Sequence, residues 1–258
     1  MPPTSEDKDH SHAKKRTLRR KVSSSTSADF FDIKKFPSRR PNRPMAPITV
    51  TVNRGCKPLP SRDSNGNLLF ADFPEFRPNL APKEILQLGS FGGTHFQPIT
   101  SGITGEITYY REAWREFPSD WFEGLEINRM VAATTYSAHV NMYKVACRSG
   151  LKDWEESGWI CHLNPYGWFQ WYCRFFMGRR CTDDYRQIAR ALGVMGSTGR
   201  WKKNLLNKCA SAVGRIAEKS NGTYGSGVTE LERVVQDFTI SPKIRQLLQV
   251  CTYKLQVV

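Results

Sequence analysis

The sequence lacks several features that would place it in a familiar class. Its 258 residues contain no run of 18 apolar residues, so it predicts no membrane span. It has seven cysteines, an odd number, and no two of them form a Cys-x-x-Cys pair. The first twelve residues are polar and hold no apolar core of a secretory signal. We therefore expect an intracellular protein with reduced thiols.

No complete catalytic or metal-binding signature is present. Cys161 and His162 are a close Cys–His pair, but adjacent side chains point in different directions in any regular element. His95, His139 and His162 are isolated in sequence. Asp183 and Asp184 are neighbours, and neighbours on a helix do not face one another. The sequence therefore predicts no metal and no cofactor, and whether it catalyses a reaction stays open.

Acidic residues are scarce relative to basic ones. Lys and Arg number 38 against 24 Asp and Glu, a formal net charge of +14. Residues 1–50 carry a net +7, and residues 171–220 carry a local +8. Positive charge confined to two segments favours a polyanionic partner, nucleic acid first. A solvated surface that keeps the domain soluble and an anionic membrane surface are the other interpretations.

Residues 1–45 are typical of a disordered basic tail, because they are rich in Ser, Lys, Arg and Pro and poor in aliphatic residues. Six of the eight residues from 14 to 21 are basic, which is typical of a nuclear localisation signal or a polyanion-binding arm. An ordinary disordered basic tail is the alternative, and with it a cytoplasmic location. The six residues are Lys14, Lys15, Arg16, Arg19, Arg20 and Lys21.

Residues 46–258 are predicted to form a single folded domain, with a change of pattern near residue 117. Alternating β-branched residues predict a strand at Ile48–Val52. Beyond residue 118 the pattern turns helical, and apolar residues at helical spacing predict a helix over 200–219. We expect a mixed, mainly α fold, in which a small β-containing N-terminal region precedes a larger helical part.

The segment 166–180 is dense in aromatic rings and arginines. Large apolar rings most often fill a core, although rings alternating with arginine can also stack on bases. Burial of an unpaired guanidinium is costly. Arg174, Arg179 and Arg180 are therefore predicted either to face solvent, where they would contact phosphate, or to pair with a carboxylate such as Asp183 or Asp184.

The glycine-rich stretch Gly89–Thr94 is superficially similar to a phosphate loop. It lacks the Gly-Lys-Ser/Thr ending and a preceding strand. We interpret it as a helix stop followed by a tight turn.

Residues 186–203 carry a small residue, Ala189, and four positions later Gly193. In this spacing the segment resembles a helix-turn-helix unit. The resemblance implies that the second helix enters the major groove, with Ser197, Thr198 and the following basic residues at the interface. An ordinary helical hairpin is the alternative, and it would still leave a basic helix face.

A longer resemblance covers about residues 73–255. These residues are similar to a conserved protein family of eukaryotes and bacteria that is uncharacterised, so the resemblance implies no activity. The motifs that carry it are Phe76–Leu80, Leu88–Thr94, Phe117–Pro118 with Trp121–Phe122, Tyr166–Tyr172, and Ser241–Pro242 with Ile244–Gln246.

These observations favour a nuclear nucleic-acid-binding protein without an assigned reaction, acting on DNA or RNA. One alternative is a nucleic-acid-modifying enzyme, a glycosylase or nuclease, using Asp183, Asp184 or Glu156. The other is a protein-interaction module with an acidic partner. The residues predicted to contact phosphate are Arg174, Arg179, Arg180, Arg190, Arg200, Lys202, Lys203 and Lys208.

Overall fold

The computed structural model describes residues 47–103, 108–109, 112–146, 150–219 and 227–256. All of them belong to one compact unit, Ile33–Val258. The predictions of a disordered tail over 1–45 and of a localisation signal at Lys14–Lys21 lie outside the described residues. Within the described ranges, no helix is both long enough and apolar enough to cross a membrane.

In the described ranges the strands are short and form three antiparallel pairs. The hairpin of the second pair is closed by the Asp63 carboxylate, which accepts the backbone N–H groups of Asn65 at 2.9 Å and Asn67 at 2.8 Å. The first pair joins the start of the described chain to its helical part. The pairs are β1 (Val50–Val52) with β6 (Arg180–Cys181), β2 (Ser61–Arg62) with β3 (Leu68–Leu69), and β4 (Thr100–Ser101) with β5 (Thr108–Tyr109).

Most of the regular structure is helical, and it dominates after residue 150. The expected mixed, mainly α fold, with a small β-containing region before a larger helical part, is confirmed. Single turns of 3₁₀ or π helix lie between residues 113 and 140. The α-helices are α1 (Pro82–Gln87), α2 (Leu151–Glu156), α3 (Trp168–Phe176), α4 (Asp184–Met195), α5 (Arg200–Lys219), α6 (Gly227–Gln236) and α7 (Pro242–Val250).

Helix α3 is the centre of the core. Trp171, Tyr172 and Phe175 are each 0% exposed. The ring of Phe175 lies 4.9 Å from that of Phe70 and 5.9 Å from that of Phe76, centroid to centroid. Burial of each such ring stabilises the fold by about 2–3 kcal/mol. These aromatic residues therefore serve packing, and they offer no free ring for a base to stack on.

The C-terminal helices are joined by a buried arginine. Arg245 of α7 is 2% exposed. It donates to the carbonyl oxygens of Val235 at 2.8 Å, Ile240 at 2.9 Å and Val234 at 3.2 Å, at and beyond the C-terminal end of α6. A cation is favourable there, because unpaired carbonyls give a helix C-terminus partial negative charge. This contact fixes α6 against α7, and α5 packs on both.

The glycine-rich stretch is a packed turn after α1, as we expected. Gly89, Gly92 and Gly93 all have positive φ. A Cβ atom on Gly93 would lie 2.1 Å from the carbonyl oxygen of Arg129, and one on Gly89 would lie 2.1 Å from that of Val140. The glycines thus allow two backbone segments to touch, and the space that a phosphate would need is filled by protein.

Gly93→Ala should lower the free energy of unfolding by about 2–5 kcal/mol, because it adds a steric clash to the cost of a left-handed alanine. Gly124→Ala is the matched control. Gly124 has a φ of +74° and nothing within 4 Å of its Cβ position, so only the conformational cost of about 1–2 kcal/mol applies. Urea unfolding of both variants measures the difference. Equal losses would show that the contact with Arg129 is unimportant.

Candidate nucleic-acid interface

The eight basic residues predicted to contact phosphate fall into two groups. Arg174 lies in the last turn of α3, Arg179 in the turn that follows it, and Arg180 is the first residue of β6. The other five, Arg190, Arg200, Lys202, Lys203 and Lys208, lie on α4 and α5. The two groups differ in burial and in their partners.

Arg174 and Arg180 are bound to carboxylates distant in sequence. The Arg174 guanidinium donates through Nε and Nη2 to the two oxygens of Glu116, each at 2.6 Å. Arg180 donates in the same two-point manner to Asp72 at 2.8 and 2.9 Å, and its guanidinium lies 3.9 Å from the centre of the Phe175 ring. The hydrogen bond from Arg180 lowers the pKa of Asp72. These two arginines are committed to internal pairs.

The pairing differs from the one that the sequence suggested. Asp183 accepts from Arg186 at 2.5 Å and from Gln187 at 2.9 Å, while Asp184 accepts the indole N–H of Trp171 at 2.8 Å. Both carboxylates are 2% exposed. Arg174 and Arg180 therefore pair with Glu116 and Asp72 instead. Asp183 and Asp184 therefore each hold neighbouring side chains of the protein in place.

Helix α5 has one buried side and one exposed polar side. Trp201, Leu205 and Cys209 point into the protein, with exposures of 7%, 1% and 2%. Helix α4 ends at Met195 and a four-residue turn, Gly196–Gly199, leads into α5. A Cβ atom on Gly199 would lie 2.7 Å from backbone atoms of α4, so this glycine permits the tight turn.

Residues 186–203, the segment that resembles a helix-turn-helix unit, lie in α4, in the turn after it and in the start of α5. The structure has a helix, a four-residue turn and a second helix over the predicted segment. Gly193, which the resemblance places in the turn, lies inside α4, and the turn itself contains Ser197 and Thr198, both exposed. The second helix, α5, carries the basic residues that the resemblance assigns to the interface.

Four cations lie on the exposed side of α5. At 100° per residue, Arg200, Lys203, Lys208 and Arg215 fall within an arc of about 140°, and all four are exposed. Among the described residues, none of the four has an acidic partner, whereas Arg174, Arg180 and Arg186 each have one. We name this surface the basic face of α5; it comprises Arg200, Lys203, Asn204, Asn207, Lys208, Ser211 and Arg215.

Lys202 and Arg190 lie away from this face and rest on aromatic rings. The Lys202 ammonium is 4.4 Å from the centre of the Tyr253 ring, and burial lowers its pKa. The Arg190 guanidinium lies 4.7 Å from the centre of the Trp159 ring and donates to Gln187. Of the five predicted residues on α4 and α5, Arg200, Lys203 and Lys208 therefore share one surface.

Some residues of this face were not singled out from the sequence. Arg215 lies seven positions after Lys208, and Asn207 and Ser211 lie four and eight positions after Lys203. These are helical spacings, so extending the period from the predicted residues would have found all three. The Asn side chains add hydrogen-bond donors and acceptors to a row of cations, whereas the Ser211 hydroxyl already donates to the backbone carbonyl of Asn207 at 2.9 Å.

Comparison of the chain with protein-family models, curated proteins and solved structures gave no match. Over the ranges that the structure describes, no group of three or more His, Cys, Asp or Glu residues could hold a metal ion. The class of the protein must therefore be inferred from its own residues.

The His95 side chain is half-buried, and its ring packs against aromatic rings. Its Nε2 atom is buried without a hydrogen-bond partner, and its ring lies 4.4 Å from that of Phe91 and 4.8 Å from that of Phe169. Burial lowers its pKa to about 3. The imidazole is therefore neutral at pH 7 and stays neutral well into the acid range.

The buried histidine should make stability depend on pH. Between pH 6.5 and about 3 the unfolded chain protonates this group and the folded chain does not, so the free energy of unfolding falls as pH falls. Below pH 6 the expected slope from this one group is about 1.4 kcal/mol per pH unit. His95→Phe should remove that contribution, while His162→Gln, at an exposed position, should keep it. Urea unfolding between pH 7.5 and 5 measures it, and an unchanged slope in His95→Phe would contradict it.

Proposed function

We propose that this protein binds nucleic acid through the basic face of α5, with no reaction assigned. The observation that carries the proposal is the contrast between its arginines. Those at 174, 180 and 186 are paired with carboxylates, whereas the cations of the basic face are exposed and have no acidic partner in the described part of the chain. A row of unpaired cations raises the local concentration of polyanions.

The other side chains of this face support nucleic acid over a merely solvated surface. A surface that only maintains solubility usually mixes acidic and basic residues. Here Asn204, Asn207 and Ser211 lie among the cations from Arg200 to Arg215, and the acidic residue that the helical period places on the same side, Glu218, comes only near the C-terminal end of α5. Arg, Lys, Asn and Ser are the side chains that donate to phosphates and to base edges. The mixture therefore suits contact with both the backbone and the bases.

The turn before α5 adds a second source of donors. Ser197 and Thr198 are exposed beside the N-terminal end of this helix. The first N–H groups of a helix lack intrahelical partners, and the helix dipole favours an anion there. A phosphate next to Arg200 would meet these N–H groups as well. A nuclear location, with the cluster at Lys14–Lys21 as import signal and additional phosphate contact, belongs to the same proposal.

Charge reversal on the basic face should weaken binding. For Arg200→Glu, Lys203→Glu and Lys208→Glu combined, we expect the affinity for labelled nucleic acid to fall at least tenfold, roughly, at 100 mM salt. The slope of log affinity against log salt concentration should become shallower by about 2–3. A complex with three fewer phosphate contacts releases fewer counterions when it forms. Fluorescence anisotropy with duplex DNA, single-stranded DNA and RNA measures both quantities and identifies the preferred partner.

The matched control carries the same charge change elsewhere. Arg115, Arg129 and Lys152 are exposed and each faces a glutamate within its own turn. Their triple change to Glu alters net charge equally but leaves α5 intact. Equal loss in both triple variants would show that only net charge matters and would contradict the proposal. A chain that binds none of the three nucleic acids but retains an acidic protein would favour an interaction module instead.

A further inference from the structure

Helix α5 exposes most of its circumference. At 100° per residue, the fully buried residues between positions 200 and 216 lie within an arc of about 80°. Every other residue from 200 to 216 is exposed or half-buried. The helix therefore projects from the surface as a ridge, which a partner can contact over more than half of its circumference. The buried residues are Trp201, Leu205, Cys209 and Ala212.

Asn207 lies on the outermost line of this ridge. The direction opposite the centre of the buried arc passes within about 20° of Asn207 at 100° per residue. Gly214 lies on the same line, and a Cβ atom there would meet nothing within 4 Å, so the space outside it is open. The Asn207 side chain is exposed, and its amide makes no hydrogen bond within the described ranges, because Ser211 bonds only to its backbone carbonyl. This amide is available to a ligand.

Helix α5 offers no aromatic ring to a single strand. Binding of single-stranded nucleic acid relies on bases that stack on exposed rings. The one aromatic residue of α5, Trp201, is 7% exposed. Two exposed rings of the described residues, Tyr185 and Phe238, belong to α4 and to the segment after α6. The basic face of α5 therefore suits a duplex better than a single strand.

The dimensions of a projecting helix distinguish between the two kinds of duplex. An α-helix with its side chains is about 10–12 Å across, and the major groove of B-form DNA is about 12 Å wide. The major groove of an RNA duplex is too deep and narrow for side chains to reach the bases. A helix that projects as α5 does fits the B-form groove, where its outermost line faces the base edges. Lys208 and Arg215, at the edge of the exposed arc, then face a phosphate backbone.

We infer that the ligand is B-form duplex DNA and that Asn207 hydrogen-bonds an adenine in its major groove. This inference rests on the proposed function, because it takes the basic face of α5 as the contact surface. A side-chain amide accepts from N6 of adenine and donates to N7, and no other base presents that pair of groups in the major groove. Lys208 and Arg215 contact phosphate and position the helix. Arg179 is 7% exposed and is not among these contacts.

Replacement of adenine by 7-deazaadenine, which lacks the N7 acceptor, tests the inference. The full chain selects a duplex from a randomised pool, and each adenine of that duplex is then replaced in turn. At one adenine we expect the affinity of the wild type to fall about fivefold or more, measured by fluorescence anisotropy. Asn207→Ala should bind the unmodified duplex more weakly and show no further fall at that adenine. Asn128→Ala, at an exposed asparagine outside α5, should behave as the wild type does.

The outcomes separate this inference from the proposed function. Tighter binding to RNA or to single-stranded DNA than to duplex DNA would overturn the inference and leave the proposed function standing. The same holds if no adenine is sensitive to 7-deazaadenine, or if Asn207→Ala is as sensitive as the wild type. A loss caused by 3-deazaadenine instead, which lacks the minor-groove acceptor, would place the contact in the minor groove and also overturn the inference. Absence of binding to all three nucleic acids would contradict the proposed function itself.

Discussion

Burial of α3 positions the surface on which the proposed function depends. Trp171 is wholly buried, and its indole N–H donates to Asp184 at 2.8 Å, at the first residue of α4. Tyr172, on the same helix, donates its hydroxyl to the carbonyl oxygen of Leu80 at 2.7 Å. The aromatic core thus fixes where α4 begins, and the tight turn closed by Gly199 then sets the direction of α5. The basic face is therefore positioned through the start of α4 and through the packing of α5 on α4, α6 and α7.

The structure separates cations that hold the fold together from cations that are available to a ligand. The sequence alone does not show this difference, because Arg174 and Arg200 are the same residue type and both lie in basic segments. Burial and partners distinguish them: Arg174 has Glu116, whereas Arg200 is exposed. Buried guanidinium groups need their partners, while exposed ones gain little from surface pairing. The exposed Arg200 guanidinium lies 5.0 Å from the centre of the Trp201 ring and faces no carboxylate among the described residues, which is why the proposal assigns it and not Arg174 to phosphate.

Features that depend on neighbouring residues are predicted from the sequence, whereas contacts between residues far apart along the chain are not. The helix over 200–219 was predicted with the bounds that α5 has, because its apolar residues recur at the helical period. The carboxylate partners were not predicted, because Asp72 lies 108 residues from Arg180. A threonine just before a helix is a common cap, yet the Thr182 hydroxyl accepts the backbone N–H of Thr49 at 3.1 Å, and Asp183 occupies the cap position. The spacing of apolar residues therefore predicts a helix from the sequence. The role of a polar side chain depends on contacts with residues distant in sequence, which the spacing does not predict.

The central claim is that α5 presents its basic face to nucleic acid. Lysine acetylation of the full chain, alone and saturated with its preferred nucleic acid, and read out by mass spectrometry, tests it most directly. Lys203 and Lys208 are exposed on that face, and Lys83 and Lys152 are lysines whose nearest acidic groups are Asp120 and Glu156. We predict that the nucleic acid protects Lys203 and Lys208 and leaves the other two reactive. Protection confined to residues 1–45, with both lysines of α5 still reactive, would contradict the account.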